Sequence, residues 1–225
     1  MLEDGAGILD IGGYSSRPGA ARISVKEEIA RVVPVITAIT HTFPDSCISI
    51  DTFRSEVAKA AFDAGAKIIN DISGGTMDRN MFEMAGRLKC PYILMHMKGT
   101  PETMQKETEY ANLFKDICYY FSEKIEELRS YGVKDIILDP GFGFAKTTLQ
   151  NFELVNRLQD FQFFGLPVLA GFSRKSMIYK TLDTTPEAAL NGTTVLNTLA
   201  LTKGASILRV HDVKEAVEAV KLLSI

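Results

Sequence analysis

Seven short sets of polar and glycine residues recur along the chain, each directly after a run of apolar residues. They are Gly12-Gly13-Tyr14-Ser15-Ser16-Arg17-Pro18-Gly19, Asp51-Thr52, Asn70-Asp71, His96-Met97, Asp139-Pro140-Gly141-Phe142-Gly143-Phe144, Ser173-Arg174-Lys175-Ser176 and Arg209-Val210-His211-Asp212. Pooled, they offer carboxylates (Asp51, Asp71, Asp139), an amide (Asn70), cations (Arg17, Arg174, Lys175, Arg209) and His211. Carboxylates accept hydrogen bonds from a ligand rich in N–H groups. Arginine grips planar oxyanions, phosphate or carboxylate, through paired bonds. Phe144 and Pro18 offer apolar walls. Together the set suits an anionic substrate held beside a flat nitrogen heterocycle.

Taken singly, each residue has a plainer reading. Asp51 and Asp71 are suited to capping a following helix. Arg174 and Lys175 read alone as solvated charges, and His96, between Met95 and Met97, as a satisfied barrel-lining residue. His41 reads as a surface or helix-end residue, and the three histidines lack zinc-ligand spacing. The segment 141–147 superficially suggests a phosphate-cradling loop, but Pro140 and Ala145 occupy the two glycine positions that loop requires. Met77, Met81 and Met84 read as core filling.

The elements that must position these residues alternate. Apolar runs at 7–11, 47–50, 67–69, 92–95, 135–138, 167–170 and 206–210 are nearly continuous rather than alternating, as in strands buried on both faces of a parallel sheet. Helical stretches separate them. Ser24-Val25-Lys26-Glu27 reads as a capping box opening a helix to about Thr40, with Pro34 inside it as a potential kink or stop. Further helices are expected over 54–63, 108–131, from Thr185-Pro186-Glu187 onward, and over 213–223. Residues 4–13 are echoed at 64–75 and, in their front half, at 202–208, each copy a helix stop feeding a buried strand. Such repetition closes into a barrel or winds an open sheet. In a parallel barrel all the strand ends meet on one face, where the polar sets would converge.

The fold class expected is α/β, a TIM (β/α)8 barrel forming one domain over 1–225. Seven strands are counted where eight are needed, and the first follows a helix stop with no helix body before it. One upstream βα unit, the first strand and its helix body, is therefore expected to be missing from this chain. Apolar residues make up 46% of the 225 and charged residues 24%, enough for a sizeable core and a solvated surface. A net charge of −3 argues against nucleic acid as the main partner. No apolar run approaches the roughly 20 residues of a membrane span. The acidic start, Met1-Leu2-Glu3-Asp4, does not read as a signal peptide, and Cys47, Cys90 and Cys118 read as reduced thiols of a cytoplasmic protein.

In chain order, Gly12-Gly13-x-Ser15-Ser16-Arg17-Pro18-Gly19, Ser49-Ile50-Asp51-Thr52, Ile69-Asn70-Asp71, Met95-His96-Met97, Asp139-Pro140-Gly141-Phe142-Gly143-Phe144, Gly171-Phe172-Ser173-Arg174-Lys175-Ser176 and Arg209-Val210-His211-Asp212 resemble the motifs of the dihydropteroate synthases. The match runs from around Ile8 to the C-terminus. The resemblance implies condensation of 6-hydroxymethyl-7,8-dihydropterin pyrophosphate with p-aminobenzoate, with Asp51, Lys175, Arg209 and His211 as the catalytic set. It implies that Asn70 and Asp139 bind the aminopyrimidinone edge of the pterin, with Lys175 on the same ring system. Asp51 would touch the pterin and stabilise positive charge at its exocyclic methylene. Arg209 and His211 would hold the leaving pyrophosphate, with Mg2+ bridging it. Ser16, Arg17, Pro18, Phe144 and Ser176 would shape the p-aminobenzoate pocket, where sulfonamides compete. A homodimer packed through outer helices is also implied.

The chain departs from the family's pattern twice. The opening Asn-Val-Thr-Pro-Asp-Ser-Phe motif, with its metal-binding asparagine, is absent, and Tyr14 stands where many members carry Glu or Gln. Two other readings stay open at this level. One is a pterin-binding methyltransferase barrel using methyltetrahydrofolate and a corrinoid partner; the other is a non-catalytic pterin-binding remnant.

Overall fold

The computed structural model describes residues 1–15, 19 and 21–224. Strands and helices alternate as β1 (Leu9–Gly12), α1 (Val25–Thr42), β2 (Ile48–Asp51), α2 (Ser55–Asp63), β3 (Ile68–Asp71), α3 (Met81–Leu88), β4 (Tyr92–Met95), α4 (Leu113–Ser130) and β5 (Ile136–Asp139). They continue as α5 (Thr148–Asn156), β6 (Leu169–Ala170), α6 (Ser176–Tyr179), α7 (Leu190–Thr202), β7 (Ile207–Leu208) and α8 (Val213–Leu223). Strands β1 to β5 pair in chain order, all parallel, and β6 pairs parallel with β7. A parallel bridge between Leu138 and Val168 joins the two groups. The result is the sequential, all-parallel order of a TIM barrel wall with helices outside. Among the described residues, no strand pairs with the outer edge of β1 or of β7. β3, β4 and β5 are buried throughout, whereas β1 and β7 are partly exposed, as edge strands are.

The two faces of each strand go to different places because side chains alternate along it. Outward residues such as Ile48, Ile50, Ile69, Tyr92, Leu94, Ile136 and Leu138 pack against helix residues including Val32, Ile36, Val57, Ala61, Phe121 and Ile125. Fully burying each of the larger side chains contributes ~1.5–3 kcal/mol. Inward, Ile68, Ile93, Ile137 and Leu169 form an apolar floor, joined by Ile8, Cys47 and Ile207. Two residues further along the strands, the same inward phase brings up Asp10, Ser49, Asn70, Met95, Asp139, Gly171 and Arg209. The site stands on that floor.

Several elements depart from the sequence expectation. Ser24 caps α1 through Glu27 N (3.2 Å), but the Glu27 carboxylate pairs with Arg31, so the expected box is one-sided. Helix α1 runs through Pro34 to Thr42. The cost of about 3 kcal/mol for an interior proline is offset by burial of Val32 and Ile36 on either side of it. Helix α4 begins at Leu113 rather than 108, because Asn112 caps it through Lys115 N (3.0 Å). The residues before it are drawn elsewhere: Gln150 donates to Thr108 O, Lys98 to Glu109 O, and Tyr110 donates its hydroxyl to Ala145 O. No helix starts at Thr185-Pro186-Glu187; Arg174 donates to the carbonyls of Pro186 and Glu187, and α7 begins only at Leu190. Met81 is core, but Met77 is exposed.

Candidate active site

Asp139 ends β5 and is buried, its Oδ1 accepting from Gly141 N at 2.7 Å. Burial pushes its carboxyl up; Lys175, the Gly141 amide, Arg209 and Lys146 pull the other way. Lys175 follows β6 and reaches back over the site, donating to Phe142 O, with its Nζ 5.0 Å from the centroid of the Phe144 ring. Burial lowers this ammonium to about 8, opposed by Asp139 and reinforced by Arg209. Phe144 is thus a wall against which Lys175 lies. Ser176, next in the chain, opens α6.

Arg209 follows β7 and divides its guanidinium between two carboxylates. Its NH2 donates to Asp51 Oδ2 (3.0 Å), and its Nε lies 3.1 Å from Asp10 Oδ2. Burial works against this cation, but Asp51, Asp10 and Asp139 hold it charged. Asp10 also accepts from Asn70 Nδ2 (2.9 Å) and from Ser49 Oγ (2.6 Å). Asp51 is not a helix cap, since the N-cap of α2 is Arg54. Burial pushes the Asp51 carboxyl up to about 7, helped by the charge of Asp10 and opposed by Arg209, with Asp71 and Glu28 adding to the rise. His211 meets Ser173 Oγ through its backbone N (3.2 Å) and ring Nδ1 (2.8 Å).

Asp71 is committed to structure. Its carboxylate accepts from Ser73 N (2.7 Å), Gly75 N (2.8 Å) and Tyr92 Oη (2.6 Å), clamping the turn after β3. Arg174 is likewise engaged, making a bidentate pair with Asp212 (2.9 and 2.8 Å). His96 is buried, with Nδ1 3.1 Å from Lys146 Nζ. Burial and the neighbouring ammonium hold its pKa well below the ordinary range, so the ring is neutral. Lys146 also donates to Gly141 O (3.0 Å) and Phe144 O (2.9 Å), and burial lowers it to about 7. One buried ammonium therefore ties the loop after β5 to the end of β4.

Ser16, Arg17 and Pro18 lie outside the described residues. The segments flanking them are anchored nearby. Glu28, fully buried, accepts from Arg54 (2.8 Å) and Thr52 Oγ1 (2.7 Å), and Arg54 donates to Ile23 O (2.8 Å). Tyr14 packs edge-on against Phe53 at 5.0 Å under the Arg54 guanidinium.

The structure thus brings Asp51, Asn70, Asp139, Phe144, Lys175, Ser176, Arg209 and His211 to the same end of the strands. Sequence reasoning missed Asp10 and Lys146. Asp10 was legible in principle: it stands in β1 in direct register with Ser49, in the inward phase shared with Asn70 and Asp139. Lys146 left no such signal, because its partners are mostly backbone carbonyls.

A parallel β/α barrel wall with a charged site at the C-terminal strand ends defines an enzyme of the barrel class. Comparison with known proteins is more specific. The family model described as pterin binding enzyme matches residues 1–211. A dihydropteroate synthase of Synechocystis sp. is 45% identical over 99% of this chain and 78% of its own length. That of Escherichia coli K12 is 44% identical over 99% of this chain and 79% of its own. Among solved structures, Yersinia pestis dihydropteroate synthase in a sulfonamide drug complex superposes with a TM-score of 0.95 at 41% identity, covering 99% of this chain and 81% of that one. Xanthomonas albilineans dihydropteroate synthase with 4-aminobenzoic acid gives 0.92 at 36% identity, covering 99% and 80%. The chain belongs to the pterin binding enzymes and, within them, to the dihydropteroate synthase family.

Proposed function

We propose that this chain is a transferase joining 6-hydroxymethyl-7,8-dihydropterin pyrophosphate to p-aminobenzoate, giving 7,8-dihydropteroate and pyrophosphate in folate biosynthesis. The observation that carries this reading is one site with acceptors for a ring edge (Asn70, Asp139), a cation beside them (Lys175) and a guanidinium held by two carboxylates (Arg209). Asn70 and Asp139 take the N–H-rich edge of the pterin, and Lys175 lies on the same ring system. Arg209 and His211 hold the pyrophosphate. The bond from the methylene carbon to the pyrophosphate oxygen breaks, and the electron pair leaves with pyrophosphate. Asp51, ionised, stabilises the cation left on the methylene carbon. The aryl nitrogen of p-aminobenzoate then bonds to that carbon and loses a proton. Fixed charges already aimed at the developing cation and the leaving anion do this without reorganising. Ser16, Arg17, Pro18, Phe144 and Ser176 shape the p-aminobenzoate pocket.

Mg2+ belongs to this proposal only as the companion of the pyrophosphate. Among the described residues, no group of three His, Cys, Asp or Glu is placed to hold a metal, and Asp10 and Asp51 are both engaged with Arg209. Magnesium commonly binds phosphate oxygens and water with few protein ligands. No step above passes through it. A homodimer packed through outer helices is also proposed, supported by exposed Val195 on α7 and Val220 and Leu222 on α8. A cytoplasmic location is supported by the three free cysteines. No helix among the described residues is long and apolar enough to cross a membrane.

The test is pyrophosphate-coupled turnover of the two substrates with Mg2+, in the chain and in Lys175→Ala, with pterin binding measured in parallel. Turnover that Lys175→Ala abolishes is expected. A folded chain that neither turns over nor binds pterin would overturn the reading.

A further inference from the structure

We propose that Asp10 is a positioning residue of this reaction: it decides which end of the Asn70 amide faces the pterin and where the Arg209 guanidinium stands for the pyrophosphate. The inference rests on the functional reading above and deepens it. Asp10 is engaged from three directions: it accepts hydrogen bonds from Ser49 on β2 and Asn70 on β3, and it pairs ionically with Arg209 after β7. A carboxylate only accepts hydrogen bonds, so the end of the Asn70 amide that meets it must be Nδ2. Reversing the amide would set oxygen against oxygen and lose a charge-assisted bond. Asn70 therefore has its carbonyl oxygen left for the ring, and an acceptor there suits an N–H-bearing edge.

The Arg209 end follows the same logic. A guanidinium has five N–H donors in a fixed plane. Asp51 takes one on NH2 and Asp10 stands in ion-pair contact with the Nε edge, which restrains that plane and leaves the other donors for phosphate oxygens. The Ser49 hydroxyl holds the second Asp10 oxygen, so the carboxylate is itself oriented. The groups acting on Asp51 are Asp10 from β1, Arg209 after β7, Asp71 from β3 and Glu28 from α1. Among these, the charge of Asp10 is the strongest of those raising the Asp51 carboxyl. Asp10 thus also affects the pH at which Asp51 becomes the anion that the cation requires.

The experiment is calorimetric binding of 6-hydroxymethyl-7,8-dihydropterin pyrophosphate and of unphosphorylated 6-hydroxymethylpterin from pH 5.5 to 8.5, to the chain and to Asp10→Asn, Asp10→Glu and Ser49→Ala. Asp10→Asn is expected to weaken the pyrophosphorylated ligand by roughly tenfold or more, the scale of one charge-assisted bond, and the unphosphorylated one less. It should also move the acid limb of binding to lower pH, because a negative neighbour of Asp51 is gone. Asp10→Glu keeps the charge but displaces its oxygens, so affinity should fall while the acid limb stays; it carries the test if Asp10→Asn does not fold. Ser49→Ala should change affinity by less than either. Folded Asp10→Asn with unchanged affinities and an unchanged acid limb would overturn the inference. If the unsubstituted chain binds neither pterin, the functional reading fails first and this inference with it.

Discussion

Replacing Asp51 with asparagine should make the protein more stable at alkaline pH while abolishing its chemistry. Burial and the charge of Asp10 push the Asp51 carboxyl up to about 7 despite Arg209. The sign follows from proton counting. Below about pH 4, Asp51 is protonated in both the folded and unfolded chain, and nothing is lost. Between about pH 4 and 7 the folded state keeps a proton that the unfolded chain releases, so stability falls as pH rises. Above 7 the loss is complete. The gap between about 7 and the roughly 3.9 of an unfolded aspartate corresponds to at most ~4 kcal/mol. The side chain keeps 22% exposure and its neighbours can adjust, so about half of that, ~2 kcal/mol, is the expected effect. Asparagine has no such titration. Urea unfolding at pH 5, 6.5 and 8 should show the stability difference, variant minus parent, rising by roughly 1 kcal/mol, the part of the effect that falls above pH 5. Loss of the second carboxylate on Arg209 adds an offset that varies little with pH. A difference that is flat to within ~0.5 kcal/mol, or that falls with pH, would refute the reasoning.

Other outcomes follow from the same geometry. Arg54→Met leaves the buried Glu28 carboxylate without its cation and should cost about 3–5 kcal/mol in chemical denaturation, much of which Glu28→Gln in the same chain should restore. Gly141→Ala should displace the loop after β5: Gly141 has φ +69°, and an added Cβ would lie 2.1 Å from His96 O, so pterin affinity should fall sharply in a calorimetric titration. The pH dependence of kcat/KM should rise through about 7 as Asp51 ionises and fall above about 8 as Lys175 loses its proton; Lys175→Arg should remove the alkaline fall even where turnover is reduced. Tyr92→Phe removes a donor from buried Asp71 and should cost ~1–3 kcal/mol with little change in substrate affinity.

The strands were legible because both of their faces are buried, which makes them apolar runs with polar stops. Strands β2, β3 and β5 extend one or two residues past those runs, so Asp51, Asn70 and Asp139 still sit in the ladder while carrying site chemistry, and Asp71 while clamping a turn. Helix starts were harder to read where side chains redirect the backbone. Asn112 sets the start of α4, and Arg174 takes the carbonyls of Pro186 and Glu187 that a helix would have used. Asp71 showed no mark in the sequence of being a turn clamp rather than a ligand contact; its partners are two backbone amides and Tyr92. Asp10 was overlooked because a single acid inside an apolar run carries no motif, and its three partners come from three separate strands or strand ends.

The alternation that sets an apolar floor beneath the charged residues also constrains how such a gene can drift. Deleting or inserting one residue within a strand turns every later side chain of that strand to the other face. In β3 it would send Asn70 toward the helices and Ile69 into the site, removing a recognition group and placing an unsatisfied amide in the core in one event. Such frame-preserving codon losses should be rejected within the strands on two grounds at once. Changes of length belong in the connections, and the length differences among functional relatives should fall there.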